Sequence, residues 1–166
     1  EWDGSTQGDL YCKGAAVVKR YLKMDNLAVD NDNWFNTGDV ATIDKNGYMR
    51  ITDRSKDVIK SGGEWISSID LENAAVGHSN VAEAAAIGVP HPKWDERPVL
   101  VIVTNDGKEA DKDSIIYHVS ERVAKWQKPD DVIFVDEIPH TATGKISKLE
   151  LRKLVANLDY KHPDLR

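Results

Sequence analysis

The chain has 166 residues and a formal net charge of −6; 40% of its residues are hydrophobic and 30% are charged. This ordinary composition excludes a disordered tail, a collagen and a disulfide-rich miniprotein, and the acidic balance argues against a nucleic-acid binder. The single cysteine, Cys12, cannot form an internal disulfide, and no apolar run approaches the roughly 18 residues of a membrane span. Because the chain opens at Glu1 with neither an initiator Met nor a signal peptide, we expect a fragment of a longer protein.

The first third of the chain predicts β structure. Asn46-Gly47 lies between two β-prone runs, and this dipeptide is a strong hairpin signal because glycine takes positive φ at little cost. Short extended segments are expected on either side of Gly14, and the polar run 25–33 is expected to be a loop. The strands predicted here are 10–13, 15–18, 40–43 and 48–51.

From about residue 54 the pattern becomes a mixture of helices and strands. Gly62-Gly63 predicts the turn of a second hairpin, and Ser67 followed by Asp70 predicts the start of a helix. Short apolar runs bounded by turn residues predict buried strands. The hairpin strands are expected at 58–60 and 64–66, and the buried strands at 82–89, 99–103 and 132–135.

Two further helices are predicted from apolar spacing and from polar residues that could cap them. Asp113 is expected to cap the first, and Ser147 with Glu150 is expected to form a capping box for the second. Their expected buried faces are Ile116, Val119 and Val123 in the first, and Leu151, Leu154, Val155 and Leu158 in the second. The order predicts β-hairpins followed by a mixed α+β unit, with a linker or hinge near 53–56.

No metal site and no phosphate loop are predicted. Gly144-Lys145 resembles the end of a P-loop, but Ile146 stands where that motif needs Ser or Thr. The histidines show no ligand spacing on one helix face. They are His78, His91, His118, His140 and His162.

The first candidate functional segment ends in Thr37-Gly38-Asp39, at the entry to a predicted strand. A carboxylate in this position can accept hydrogen bonds from a ribose diol, as acidic residues do in dinucleotide folds. A glycine turn beside a solvated Asp39 explains the same residues, and taken alone that explanation is favoured.

The second segment is 53–65, where Arg54, Lys56 and Lys60 precede the Gly62-Gly63 pair. Cations suit a phosphate, and glycines permit close approach of the backbone to a ligand. Trp65 could wall a flat ligand or belong to the core. The acidic residues of the segment balance the cations, so a salt-bridged hairpin is the competing interpretation.

The third segment is the polar loop 139–145, which ends in Lys145 just before the last predicted helix. A mobile loop of this kind can carry a cation into a site, whereas an ordinary strand-to-helix connection explains it equally well. The tail from 145 to 153 is locally basic within an acidic chain, which weakly favours a phosphate partner.

In this order and spacing, the three segments resemble the C-terminal end of an AMP-forming acyl-CoA synthetase of the adenylate-forming superfamily. The matching blocks are the aromatic-x-x-Thr-Gly-Asp block at 34–39, the Asp-Arg-x-Lys-Asp block at 53–57, Gly-Gly-Glu-Trp-Ile-Ser-Ser at 62–68 and Thr-x-x-Gly-Lys at 141–145. The stretch 60–68 is most similar to medium- and long-chain fatty-acid–CoA ligases. Ala15 and Arg20 depart from the family pattern, away from these blocks.

The resemblance implies a role for each matching residue. Asp39 would bind the ribose hydroxyls of ATP and acyl-AMP with help from Arg54, and Lys145 would be the catalytic lysine of adenylation. Lys56 matches a hinge about which a mobile domain swings between the two half-reactions. The nucleotide-contacting positions are Lys56, Lys60 and Trp65, and the positions that line the CoA channel are Gly62 and Gly63.

The resemblance also implies an α+β fold and a domain division. Residues 1–53 would be the β-rich end of a large N-terminal domain. Residues 54–166 would be a small C-terminal lid domain, with a β-hairpin, a roughly three-stranded sheet and flanking helices. ATP, AMP and CoA would be its cofactors, with Mg²⁺ held through ATP and the N-terminal domain.

The partners implied are a carboxylic acid, ATP, CoA and the chain's own N-terminal domain, in a cytoplasmic enzyme or one peripheral to a membrane. The fragment by itself is expected to be inactive, because the sequence holds no phosphate loop and no domain for the acyl chain. Two alternatives remain open. One is an aryl-acid or amino-acid adenylating enzyme of the same superfamily, and the other is a non-catalytic interaction module that kept the fold.

Overall fold

The structure is a computed structural model that describes residues 1–105, 111–158 and 160–165. It divides into two compact units, Glu1–Lys56 and Asp57–Arg166. The division falls beside Lys56, three residues after the predicted domain boundary. The hinge role of Lys56 stays a prediction.

The first unit is a three-stranded antiparallel sheet in the order β1-β2-β3. The hairpin predicted at Asn46-Gly47 is confirmed: Gly47 has φ of 84°, and its N–H donates to the carbonyl of Asp44 at 2.9 Å. The strand predicted at 15–18 is wrong, because the chain turns there and the N–H of Val17 donates to the carbonyl of Gly14. The strands are β1 (Gly8–Cys12), β2 (Phe35–Ile43) and β3 (Met49–Arg54).

The second unit contains a five-stranded sheet built around one central strand. Its strands are β4 (Ile59–Ser61), β5 (Glu64–Ile66), β6 (Val81–His91), β7 (Asp95–Thr104) and β8 (Asp131–Phe134). The β7 strand pairs antiparallel with β6, parallel with β8, and with β4 only where Ser61 meets Asp95. The predicted hairpin and three-stranded sheet therefore form one sheet, because β7 joins them.

The turn between β4 and β5 has positive φ at both glycines, 60° at Gly62 and 89° at Gly63, as a tight hairpin turn requires.

The described part of the second unit also contains three α-helices: α1 (Ser68–Val76), α2 (Lys112–Ser120) and α3 (Lys148–Asn157). The predicted cap of α1 is confirmed, since Ser67 Oγ accepts from the N–H of Asp70 at 3.1 Å. The cap of α2 is Asp111 and not Asp113, because the helix starts at Lys112 and the Asp111 carboxylate accepts from Ser114. No helix in the described part of the chain is long and apolar enough to cross a membrane.

The capping box predicted for α3 does not form. The hydroxyl of Ser147 makes no capping hydrogen bond, although α3 begins directly after it. Glu150, the other expected partner, instead accepts from Lys153 Nζ at 2.8 Å. The ion pair on the helix surface has replaced the local bond that the sequence pattern suggested.

Helices cover the sheet of the second unit on both faces, so it has two apolar clusters. Successive residues of β7 alternate between them: Leu100 and Ile102 pack with α1 and α2, whereas Val99 and Val101 pack with α3. Because both faces are buried, the central parts of β6 and β7, residues 84–89 and 98–103, appear in the sequence as apolar runs. Ile115 and Val119 of α2 are fully buried, as are Leu151 and, nearly, Val155 of α3, but Leu158, expected on the buried face, is exposed.

Two histidines meet where α1 and α2 pack together. The rings of His78 and His118 lie edge to face with centroids 5.2 Å apart. Nε2 of His118 is buried and has no hydrogen-bond partner among the described residues. Burial, with the positive charge of Arg122 and the neighbouring His78, lowers the pKa of His118 below its ordinary value.

We expect acidification to destabilise the second unit through His118. A histidine whose pKa is lowered by folding favours the native state above its unfolded value of about 6.5, and that contribution is lost as pH falls below it. The measurement is the free energy of unfolding from urea denaturation at pH 7.5 and at pH 5.5. The decrease in this free energy between the two pH values should be smaller for His118→Asn than for the unchanged chain. Asp130 and Asp131, whose pKa values are lowered below 3.8, titrate outside this window. An equal loss in both proteins would contradict the assignment.

Candidate functional site

A carboxylate and a guanidinium meet at one end of the first unit. Asp39 in β2 is the register partner of Arg54 in β3, and Arg54 Nη1 lies 2.6 Å from Asp39 Oδ1. The pairing of the two strands thus brings together two candidate residues that are 15 positions apart. Asp39 is the more buried of the two, so its carboxylate has a fixed position from which it can accept hydrogen bonds.

The backbone before Asp39 is held in one conformation by side chains. Gly38 has φ of 73°, a region that favours glycine, and its N–H donates to Asn36 Oδ1 at 2.8 Å. Thr37 Oγ1 accepts from the N–H of Asp39 at 3.1 Å and donates to the carbonyl of Leu10 at 3.0 Å. The Thr-Gly-Asp block is therefore a structured bend inside β2, and not at the entry to a strand as the sequence predicted.

The β4–β5 hairpin carries the candidate residues of the second segment. Lys60 is the register partner of Trp65, and the side chain of Lys60 is exposed. A Cβ added to Gly62 would lie 2.8 Å from a ring carbon of Trp94, whereas one added to Gly63 would meet open space. The Gly-Gly turn thus leaves its backbone accessible on the side of Gly63.

A cavity of about 410 Å³ adjoins this turn. Its lining includes residues that the sequence analysis did not single out, Trp94, Arg97 and Trp126, and both tryptophans are exposed. A usable signal was present, since Trp94 and Arg97 occur in a short polar stretch between two apolar runs. Trp126 lies in a distant segment, so only the fold brings it to the cavity. The complete lining is Ser61, Gly62, Glu64, Trp94, Arg97, Trp126, Asp130 and Asp164.

The loop that carries Lys145 is a hydrogen-bonded turn. The N–H of Thr141 donates to the carbonyl of Lys145 at 2.7 Å, and the N–H of Gly144 donates back to the carbonyl of Thr141 at 2.9 Å. At the base of the turn, His140 Nε2 lies 2.6 Å from Glu83 Oε1. The side chain of Lys145 is exposed, so the turn presents an ammonium group to solvent.

The candidate residues therefore fall into three groups. Asp39 and Arg54 contact each other in the first unit. Lys60, Trp65 and the two glycines share the β4–β5 hairpin, and Lys145 lies on a separate loop of the second unit. Lys56 is exposed and is the last residue of the first unit.

Histidines that the sequence analysis set aside form a polar cluster. Ligand atoms of His91, His162 and Asp164 lie within 4.8 Å of one another. Nδ1 of each histidine accepts from a backbone N–H at 3.2 Å, so the ring proton is on Nε2. Those Nε2 atoms donate to Asp164 at 3.3 Å and to Asp130 at 3.1 Å. A protonated Nε2 has no lone pair for a cation, so the arrangement favours a hydrogen-bond network over a metal site.

Comparison with known proteins identifies a family match within the second unit. Residues 70–145 match the AMP-binding enzyme C-terminal domain family. They belong to that family. The match lies within the second unit, so the helices α1 and α2 and the loop ending at Lys145 are elements of an AMP-binding enzyme C-terminal domain.

Relatives extend the similarity across the first unit as well. The chain is 54% identical over 151 residues to 3-methylmercaptopropionyl-CoA ligase of Ruegeria pomeroyi, covering 91% of this chain and 28% of that protein. It is 47% identical over 151 residues to medium-chain-fatty-acid–CoA ligase of Ectopseudomonas oleovorans, with the same two coverages. The ATP-bound structure of MatB from Rhodopseudomonas palustris matches with a TM-score of 0.81 and 31% identity, covering 94% of this chain and 32% of that one.

These matches confirm the predicted resemblance to acyl-CoA ligases and the α+β fold of the C-terminal domain. The chain spans less than a third of the length of each of these relatives.

Proposed function

We propose that this chain acts as the C-terminal part of an AMP-forming fatty-acid–CoA ligase. The observation that carries the proposal is its 47% identity, across both units, to a medium-chain-fatty-acid–CoA ligase. In the first half-reaction a carboxylate oxygen bonds to the α-phosphorus of ATP and pyrophosphate leaves. In the second, the CoA sulfur bonds to the acyl carbon, the bond to AMP breaks, and the thiol gives up its proton.

The Asp39–Arg54 pair supplies ribose recognition in this proposal. A carboxylate oxygen is a strong acceptor for the two hydroxyls of a ribose, and a guanidinium bonded to that carboxylate holds it in one orientation. The 2.6 Å contact between Arg54 and Asp39 fits this requirement. Lys60 and Trp65, which face each other across the hairpin, would then contact phosphate and base respectively.

Lys145 acts in adenylation. Both reactants are anions, and negative charge gathers between them as the carboxylate approaches the α-phosphate. An ammonium on a flexible stem neutralises that charge and orients the two groups. The tight turn from Thr141 to Lys145 anchors the backbone while the side chain extends from it.

The Gly62-Gly63 turn acts in thioester formation. The pantetheine arm of CoA needs a narrow path along the backbone and does not need a cation. Two glycines can provide such a path because they have no side chains. Since the two half-reactions need different groups at the acyl carbon, the second unit would present Lys145 for one and the glycine turn for the other. Lys56, at the division between the units, would be the hinge of that exchange.

Mg²⁺ and the acyl chain would be held elsewhere in the ligase. The positions assigned here to nucleotide contact are mostly Lys and Arg, whose cationic side chains can bind phosphate oxygens. They offer no oxygen ligand, which is what Mg²⁺ prefers. Mg²⁺ would therefore be held through ATP and the larger domain. A cytoplasmic location, implied by the resemblance, also stays a prediction.

The first unit exposes several large apolar side chains, and this exposure is an argument for a large partner domain. Such a concentration in a small unit is typical of a surface that another part of the protein covers. We propose that the occupant is the rest of the N-terminal domain of the same ligase, of which residues 1–53 would be the β-rich end. The side chains that are more than half exposed are Trp2 at 67%, Tyr21 at 54%, Leu22 at 90%, Met24 at 56%, Leu27 at 59% and Tyr48 at 76%.

An assay of the complete ligase on a panel of acids tests the proposal. Incubation with ATP, Mg²⁺, CoA and fatty, aryl or amino acids should give CoA thioesters, with fatty acids turned over fastest. Turnover of aryl acids alone, or adenylation of amino acids without thioester, would favour the related adenylating enzymes. No turnover with any acid would favour a non-catalytic interaction module.

We expect the 166-residue chain by itself to form no acyl-AMP. It holds no phosphate loop and covers 28% of its ligase relatives, so ATP and the acid would lack most of their contacts. The measurement is pyrophosphate release from fatty acid, ATP and Mg²⁺, with a circular dichroism spectrum to show that the chain is folded. The complete ligase is the positive control. Turnover by the folded chain above background would overturn this expectation.

A further inference from the structure

The segment 94–97 holds three consecutive residues, the last two of β4 and the glycine that follows them. The N–H of Gly62 donates to the carbonyl of Trp94 at 2.8 Å, and the N–H of Lys60 donates to Glu96 Oε2 at 3.0 Å. Between them, Arg97 Nη1 donates to Ser61 Oγ at 3.0 Å. The ladder between β4 and β7 contains a single residue pair, so these contacts determine where the glycine turn lies.

Arg97 is rigidly held while it makes this contact. Its Nε and Nη2 donate to the two carboxylate oxygens of Asp130 at 2.7 and 2.6 Å, a bidentate pair. Nη1 and Nη2 also donate to the carbonyls of Trp126 and Lys128 at 3.1 and 3.0 Å. The side chain of Arg97 is 14% exposed. With every part of its planar fork bonded, the guanidinium is a fixed support for Ser61.

The C-terminal segment supports Asp130 in turn. His162, whose side chain is 2% exposed, donates from Nε2 to Asp130 Oδ2 at 3.1 Å. Burial would raise the pKa of Asp130, but the hydrogen bonds and charge of Arg97, together with His162, hold that pKa below its ordinary value. A continuous set of bonds thus runs from His162 through Asp130 and Arg97 to Ser61, next to the glycine turn.

We propose that Arg97 is a positioning residue for the thioester half-reaction, acting through Ser61 on the Gly62-Gly63 turn. This inference rests on the proposed function, in which that turn lines the path of the CoA thiol. Adenylation depends on Lys145, which lies on a different loop, so Arg97 affects one half-reaction and spares the other. Misplacement of a substrate-positioning element by about 1 Å can cost about a hundredfold in rate.

The test compares both half-reactions in the complete ligase carrying Arg97→Ala, Arg97→Lys or the control Arg122→Ala. Arg122 is an exposed arginine of the same unit whose guanidinium donates to the carbonyl of His118.

Arg97→Ala should slow thioester formation from supplied acyl-AMP by about tenfold to a hundredfold and leave acyl-AMP formation within about twofold. Arg97→Lys should recover only part of the lost rate. Its ammonium keeps the positive charge but cannot bridge Asp130 and Ser61 as the planar guanidinium does. Added methylguanidinium should restore thioester formation to Arg97→Ala, and Arg122→Ala should match the unchanged ligase.

The outcomes separate the inference from the function on which it rests. If the unchanged ligase makes no acyl-CoA, the proposed function fails. If it makes acyl-CoA and Arg97→Ala forms thioester at an unchanged rate, the inference fails and the function stands. If Arg97→Ala lowers both half-reactions equally and lowers the melting temperature, Arg97 serves stability alone and the inference fails.

Discussion

Replacing Lys145 by alanine in the complete ligase is expected to slow acyl-AMP formation about a hundredfold or more. One group that stabilises developing charge in a transition state contributes about 3–4 kcal/mol, which corresponds to this loss. The same variant should form thioester from supplied acyl-AMP at a rate within a few fold of the unchanged ligase. The reason is that the second half-reaction needs the glycine turn at the acyl carbon and does not need the ammonium.

The matched control is Lys153→Ala. Lys153 is an exposed lysine of α3, and its ammonium pairs with Glu150 on the helix surface. A surface pair of this kind contributes at most about 1 kcal/mol to stability and does not act in the proposed chemistry. The two half-reactions are measured separately, as pyrophosphate release without CoA and as thioester formation from acyl-AMP. If Lys145→Ala slowed both steps equally, the role assigned to Lys145 would be wrong.

Replacing Lys148 by methionine is expected to destabilise the second unit by about 3 kcal/mol. Lys148, the first residue of α3, lies 2.7 Å from Glu72 Oε1 and also donates to Ser68 Oγ. The side chains of Lys148 and Glu72 are only 11% and 17% exposed. Methionine keeps the volume of the lysine stem but leaves the Glu72 carboxylate without this cation in a partly buried place, which is the costly change.

The double variant Lys148→Met with Glu72→Gln should recover most of that loss. Glu72 Oε1 also accepts from the N–H of Ala86 at 2.9 Å, and the glutamine oxygen can keep that bond without a buried charge. Urea denaturation of the two variants and the unchanged chain gives the comparison, and exchange of the Ala86 amide reports on the site itself. Equal stability of the single and double variants would mean that the lost cation is not the cause.

The local features of the fold could be predicted because their causes lie within a few residues. The pairs Asn46-Gly47 and Gly62-Gly63 form hairpin turns because glycine itself tolerates positive φ. Ser67 caps α1 by bonding to a residue only three positions away. The motif spacing likewise indicated the family, which residues 70–145 confirm. Where two local patterns competed, prediction failed: Asp111 rather than Asp113 caps α2, and Glu150 pairs with Lys153 rather than with the helix start.

The candidate site was predictable as a set of residues but not as an arrangement. The resemblance assigned Asp39 and Arg54 to one ribose site, but it is the register of β2 against β3 that brings their side chains to 2.6 Å. Arg97 was missed because its importance depends on four partners that are distant in sequence. Those partners are Ser61, Trp126, Lys128 and Asp130.

By itself, then, the sequence determined most of the element types, the hairpin turns and the family that residues 70–145 match, because these depend on residue chemistry at short spacing. Only the tertiary structure decided that the second hairpin joins the main sheet, that His162 returns to Asp130, and that Arg97 donates to Ser61 beside the glycine turn. The physical reason is that such contacts join segments separated by about thirty residues or more. Their geometry is set by how the sheet and helices pack, and no local pattern records it.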